Sequence, residues 1–268
     1  MDSSEGHPIS EGKTMINEQT LEKLRGMRLN GMADLYEQQS TDSSIQSLDF
    51  EDRLELLVDS EFSRRKSNKL ARLINQATFS DSDASIEGIE YFPDRNLDKR
   101  LISKLAQGTY IDNHHNIILM GASGNGKTWI ANAFGIQACR QFRKVKYIRL
   151  PELIDELALA KFEADGSYRK LIKKYTKIEL LIIDEWLLMD LSLEDSVHIF
   201  EIIEARLKQS STIFCSQFSP EGWHNKIQNP QLADAILDRI VHGSHQIMLD
   251  GEISMRERHG LEDKGNIN

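Results

Sequence analysis

Residues 116–128 read NIILMGASGNGKT, an apolar run that breaks into three glycines and closes on lysine and threonine. The run 116–121 predicts a buried strand, and WIANAFGIQAC after it predicts a helix. Between them Gly121, Ala122, Ser123, Gly124, Asn125, Gly126, Lys127 and Thr128 fit GxxxxGK[ST] at every fixed position. Glycines let backbone N–H groups curl around a phosphate, and the N-terminus of the following helix adds partial positive charge. The stretch therefore predicts an ATP site made by residues 121–128 and bordered by Trp129. Lys127 is expected to reach the β- and γ-phosphates, and the Thr128 hydroxyl to ligate Mg²⁺.

Working outward, three more apolar runs are separated from the first by helix-length segments: KVKYIRL (144–150), IELLIID (178–184) and STIFCSQ (211–217). Near-continuous apolar strands alternating with helices predict an α/β fold, a parallel sheet with helices on its faces. The third run ends in Asp184, and Glu185 follows it. Asp184 is placed to hold Mg²⁺ through its water shell, and Glu185 to polarise the attacking water as a general base. A small-molecule kinase has no use for a water-activating glutamate, which disfavours that class. The fourth run brings Ser216 and Gln217 to a strand's C-terminal end, where open sheets bind ligands. Either can report on the γ-phosphate, or both belong to a plain strand-to-loop transition. Arg239, in LADAILDRIVHG, is either a surface arginine paired with a nearby aspartate or an arginine finger acting on a neighbouring subunit's ATP.

The chain of 268 residues, 40% hydrophobic, is long enough for one large domain and a smaller one. Its net charge of −9 excludes a protein that coats nucleic acid with its whole surface, while leaving room for a local basic face. Cys139 and Cys215 lie far apart without metal-ligand spacing. No apolar run approaches the roughly 18 residues of a membrane span, so no membrane association and a cytoplasmic location are expected. Residues 1–14 read as a disordered leader, with Met15 as a second possible start. Residues 15–78 read as a small all-α domain broken near QSTDSS (39–44), residues 79–92 as a polar linker, 93–256 as the ATPase domain and 257–268 as a disordered tail.

In EFSRRKSNKLARLI (61–74), Arg65, Lys69 and Arg72 share a helix face, joined by Arg64 and Lys66. Such a face neutralises DNA phosphates without reading sequence, or is simply solvated. RQFRKVK (140–146) reads as a surface turn. His114 and His115 lack partners at ligand spacing, so metal binding there is not expected.

Together, GASGNGKTWIANAFG, LLIIDEW and ADAILDRIVHGSHQIMLDGE closely resemble the IstB-like ATPases, the transposition helpers of a class of insertion sequences. These are AAA+ ATPases related to the helicase loader DnaC and the initiator DnaA, and the resemblance spans about residues 15–256. Trp186 and Leu187 stand where the family often has a glycine, and Ile253 stretches its Gly-x-Ser-x-Arg close in GEISMR. The resemblance implies an AAA+ core that binds ATP and Mg²⁺ at residues 121–128, Asp184 and Glu185. It makes Arg239 a finger acting in trans, and hence ATP sites at the interfaces of a self-oligomer. It further implies partners, double-stranded DNA and a cognate transposase. The alternative is a replicative helicase loader of the DnaC type.

Overall fold

A computed structural model describes residues 17–163 and 165–259, so the expected leader and residues 260–268 of the expected tail lie outside the described residues. Two compact units divide at Lys69 and Leu70. The first holds helices α1 (Glu18–Gly26), α2 (Asn30–Gln39), α3 (Ser43–Gln46) and the N-terminal part of α4 (Phe50–Ala77). Asn17 caps α1 and Asp42 caps α3 through side-chain oxygens, and the break between α2 and α3 falls in the expected QSTDSS segment. The N-terminus of α2 has no local side-chain cap. Buried Glu61 supplies one from α4, accepting Gly31 N–H at 2.7 Å.

The second unit adds α5 (Lys99–Ala106), α6 (Thr109–Asp112), β1 (Asn116–Met120), α7 (Lys127–Arg140), β2 (Val145–Arg149), α8 (Leu150–Phe162) and α9 (Ser167–Thr176). It continues with β3 (Leu180–Trp186), α10 (Leu193–Arg206), β4 (Ser211–Ser216), α11 (Pro220–Trp223), α12 (Pro230–Val241), β5 (Ser244–Met248) and α13 (Met255–Arg258). All five strands run parallel in the order β2-β3-β4-β1-β5, so β4 lies between the strand before the glycine loop and the strand bearing the acids.

Alternate side chains of each strand feed two different cores. Ile117, Leu119, Leu180, Ile182, Ile213 and Cys215 pack on one face with Phe134 of α7 and Leu73 of α4. Ile118, Leu181, Ile183 and Phe214 pack on the other with α8, α10 and α12. Burial on both faces explains why these strands read as unbroken apolar runs. β5 is the exception: only Ile247 of SHQIM is buried at this edge of the sheet. That is why no apolar run announced it.

The expected linker 79–92 is corrected. Although rich in Ser and Asp, it places Phe79, Ala84, Ile86, Ile89 and Tyr91 against the ATPase core. Its polar residues tie local turns, as when Asp83 N–H donates to Asp81 Oδ1 at 3.0 Å. The tail also starts later than expected. Arg258 ends α13 in an ion pair with Asp94 at 2.5 Å, and His259 reaches Glu90 at 2.8 Å.

Candidate functional site

A cleft of about 820 Å³ opens at the C-terminal ends of β1, β3 and β4, the end of a parallel sheet where ligands bind. The loop after β1 forms its floor. Gly121 (φ 145°) runs so close to β5 that a Cβ there would stand 2.2 Å from Leu249 O, and Gly124 (φ 87°) meets Ser254. Any other residue at either position would force the loop open. Asn125 pins the loop from beneath: its Nδ2 donates to Leu249 O at 2.8 Å, and its carbonyl accepts from buried Arg95 at 3.0 Å. Asn125 is thus a scaffold for the loop, while Ser123, Gly124, Gly126, Lys127, Thr128 and Trp129 line the cleft.

Lys127, at the start of α7, donates from Nζ to Gly121 O at 2.7 Å and Ala122 O at 2.8 Å. Burial lowers its pKa from the usual lysine value, and nearby Arg256 adds to the shift while Asp184 opposes it. The ammonium is therefore a cation short of counter-charge, held over a loop whose backbone amides favour anions.

Asp184 is buried at the end of β3. Its Oδ2 accepts from Thr128 Oγ1 at 2.7 Å and Tyr147 Oη at 2.9 Å, and its Oδ1 from Glu185 N–H at 2.8 Å. Burial, with Asp184 adding to it, raises the Tyr147 phenol well above its ordinary pKa, so Tyr147 is a neutral donor. The pairing of β3 with β4 shifts register between Ile183 and Trp186, and Glu185 and Leu187 take φ of 55° and 53°. Two left-handed non-glycine residues cost about 1–3 kcal/mol each, and buried Trp186 anchors the kink against Phe214 (4.7 Å) and Trp223 (5.8 Å). The kink turns Glu185 into the cleft, with its carboxylate 3.9 Å from Arg149 Nη1.

Thr128 and Asp184 fit Mg²⁺: a hydroxyl and a carboxylate, both hard oxygen donors, already touch. No cluster of three metal-ligating side chains exists among the described residues, and an ion completed by phosphate oxygens and water needs none.

Not every expected residue is in the cleft. Gln217 lines it, but Ser216 does not. The Ser216 hydroxyl donates to Trp186 O at 3.0 Å and accepts from Phe218 N–H at 3.1 Å and Trp223 Nε1 at 2.9 Å. With its donor and both lone pairs used, it braces the β3 kink and has nothing left for a phosphate. Arg239 lies on α12, paired with Glu204 and 4.8 Å over the Phe200 ring. It borders a separate cavity of about 610 Å³ with Asn116, Thr212 and Gly243, near the starts of β1, β4 and β5. A five-residue strand is about 17 Å long, so Arg239 cannot reach its own chain's phosphate loop.

Arg64 pairs with Asp34 (2.6 Å) and Arg65 with Glu61 (2.6 Å), so the basic segment of α4 is partly neutralised within its own unit while both arginines stay exposed. Lys66 sits 4.3 Å over the Phe62 ring, Lys69 is exposed, and Arg72, also exposed, belongs to the second unit. Meanwhile Arg169, Lys170, Lys173, Lys174 and Lys177 on and after α9 form no ion pair among the described residues, and all five are exposed. The signal was in SYRKLIKKYTK, in which two basic pairs recur at helical spacing. Tyr147 and Arg95 support or line the cleft without having been expected, and Arg256, the arginine of the GEISMR close, lines it as well. The stretched GEISMR does not keep Arg256 away, because Met255 N–H docks on Gly124 O at 2.9 Å.

Among the described residues no helix is long and apolar enough to cross a membrane. The family model described as IstB-like ATP binding protein matches residues 22–263. An insertion sequence ATP-binding protein of Sinorhizobium fredii is 40% identical over 244 residues, covering 91% of this chain and 98% of that one. Among solved structures, the DnaC helicase loader superposes with a TM-score of 0.53 at 17% identity, over 63% of this chain and 97% of that one. AMPPCP-bound DnaA from Aquifex aeolicus gives 0.53 at 16% identity, over 66% and 53%. These structures share the AAA+ fold, and the chain itself belongs to the IstB-like ATP-binding family of P-loop ATPases.

Proposed function

We propose that the chain is an ATP-dependent transposition helper of the cytoplasm, assembling on duplex DNA and recruiting or activating a transposase. One observation carries the ATPase part: the kink that sets Glu185 into the cleft beside Asp184, which touches Thr128. In the proposed chemistry water attacks the γ-phosphorus, the bond to the β–γ bridging oxygen breaks, and ADP and phosphate leave. Glu185 takes the proton from the attacking water. Lys127 holds the β- and γ-phosphates, Gln217 orients water or the γ-phosphate, and Trp129 borders the nucleotide. Mg²⁺, when held by Thr128 and Asp184, neutralises charge building on the phosphate oxygens.

Arg239, remote from its own cleft, supplies the finger to a neighbouring subunit, so ATP binding and self-assembly are linked. The relative from Sinorhizobium fredii is named for an insertion sequence, and that context supports a transposase as partner. The cations of α9, which form no ion pair among the described residues, support DNA binding there; Lys66, Lys69 and Arg72 on α4, with Arg64 and Arg65 where their carboxylates allow, offer a second basic face of their own.

Replacing Lys170, Lys173, Lys174 and Lys177 by glutamine tests the DNA surface. The slope of log affinity against log salt on duplex DNA should fall by about 0.9 for each phosphate that the variant no longer neutralises. An unchanged slope would remove α9 from the interface. Stronger binding to single strands than to duplex by the wild-type chain would instead favour a loader of the DnaC type.

A further inference from the structure

The cavity that Arg239 borders lies at the opposite end of the sheet from the phosphate loop, and its wall is cationic. Arg206, Lys208, Arg239, His114, His115 and His242 line it against one carboxylate among the described residues, Asp238, which stands 3.4 Å from His242. Two groups in this wall are buried with bonding capacity left over. Arg206, 2% exposed, donates from Nη1 to Tyr175 O at 2.5 Å and Ile178 O at 2.9 Å, from Nη2 to Ser211 O at 2.5 Å and from Nε to Thr212 Oγ1 at 3.1 Å. These bonds use four of the five guanidinium N–H groups. Every acceptor is neutral and no carboxylate pairs with Arg206 among the described residues, so burial lowers its pKa to about 9. Ser210, 6% exposed, lines the same cavity, and its hydroxyl has no hydrogen-bond partner among the described residues. A buried hydroxyl without a partner burdens the fold unless a bound group supplies one.

Two exposed or half-buried cations complete the wall. Lys208 forms no ion pair among the described residues and stands just past α10 with φ 57°, a left-handed position that helices usually give to glycine. Arg239 uses Nε for Glu204 and Nη1 for Ala235 O, which leaves Nη2. We propose that this cavity is a second anion site, taking a small phosphate-bearing molecule whose oxygens accept from Ser210 Oγ, Lys208 Nζ and the unused N–H groups of Arg206 and Arg239.

At about 610 Å³ the cavity holds a molecule of up to nucleotide size, and it shares no lining residue with the nucleotide cleft. A phosphate presents three acceptor oxygens to donors that arrive from α10, the turn after it and α12, where a carboxylate presents two. A DNA backbone is disfavoured because Arg206 and Ser210 lie beneath the surface, out of reach of a duplex strand. An occupant would also draw on Arg239. That consequence, restraint of the finger, rests on the trans role proposed above, whereas binding does not.

Pyrophosphate is the probe. Calorimetric titration without Mg²⁺ should find two sites on the wild-type chain and one on Lys127→Ala, which lacks the cation of the phosphate loop. Lys208→Asn suits the same left-handed turn, and Ser210→Ala removes a hydroxyl that no described group of the chain engages. Each, added to Lys127→Ala, should weaken the remaining site about 10-fold. Each alone should leave ATP binding and the urea unfolding midpoint unchanged, which a structural role for either side chain would not. Succinate should compete for the site at least about 10-fold more weakly than pyrophosphate. A single site on the wild-type chain, or binding indifferent to both substitutions, would overturn the proposal. So would equal competition by succinate, or displacement of pyrophosphate from this site by a duplex oligonucleotide, which would give it to DNA instead.

Discussion

Tyr147→Phe removes one hydroxyl from beneath Asp184 and keeps the ring, so no cavity opens. In the structure Asp184 Oδ2 accepts from Thr128 at 2.7 Å and from Tyr147 at 2.9 Å. If Thr128 turns to Mg²⁺ when nucleotide binds, Tyr147 becomes the one side-chain donor left to that oxygen. A hydrogen bond to a charged group contributes about 1.5–3 kcal/mol, which corresponds to about 10- to 150-fold in an equilibrium constant. Loss of a partner behind a metal ligand costs a similar 10- to 100-fold in metal affinity. The Mg²⁺ concentration for half-maximal ATP turnover should therefore rise about 10- to 100-fold in Tyr147→Phe. Nucleotide affinity without Mg²⁺ should stay within about two-fold, because Tyr147 touches Asp184 and not the phosphate loop. A Mg²⁺ titration of phosphate release, with nucleotide binding measured in EDTA, decides it. An unchanged titration midpoint, or equal loss of binding with and without Mg²⁺, would refute the positioning role.

Other substitutions separate the remaining roles. Lys127→Ala should abolish ATP binding, whereas Glu185→Gln should keep it and lose about 10²–10⁴-fold in turnover; single-turnover kinetics after filter binding would show both. Ser216→Ala takes the acceptor from the Phe218 N–H, while the Trp223 indole keeps Phe218 O, and should cost about 1–3 kcal/mol in urea unfolding with little change in turnover, while Gln217→Ala should do the reverse. Arg239→Ala should lose hydrolysis but regain it when mixed with Lys127→Ala, since each supplies what the other lacks at a shared interface. Absence of rescue at every mixing ratio would exclude action in trans.

What the sequence disclosed was whatever depends on near neighbours in the chain. The glycine loop, its lysine and threonine, and the acids closing β3 are contiguous motifs whose chemistry travels with their spacing. Tyr147 was invisible because its role comes from register: β2 lies beside β3 with Arg149 opposite Asp184, which puts Tyr147, two residues back on the same face, under the carboxylate. Ser216 misled because a polar residue at a strand end looks the same whether it faces a ligand or braces a kink. The segment 79–92 reads as solvated by composition, yet widely spaced aromatic and aliphatic anchors were enough to fix it on the core. Arg64 and Arg65 gave a basic helix face; Glu61, four residues before Arg65 on the same helix, was legible as its partner, whereas only the fold of the first unit brought Asp34 to Arg64.

The central claim, ATP-driven assembly on duplex DNA, is tested most directly by size-resolved light scattering of the wild-type chain with duplex or single-stranded DNA. ATP plus Mg²⁺ would be compared with ADP at two salt concentrations, because phosphate-driven affinity is salt-dependent. The account predicts particles larger than the protein alone that form on duplex with ATP, persist longer in Glu185→Gln and are absent with ADP. Particles of the same size in both nucleotide states, or none on duplex, would contradict it.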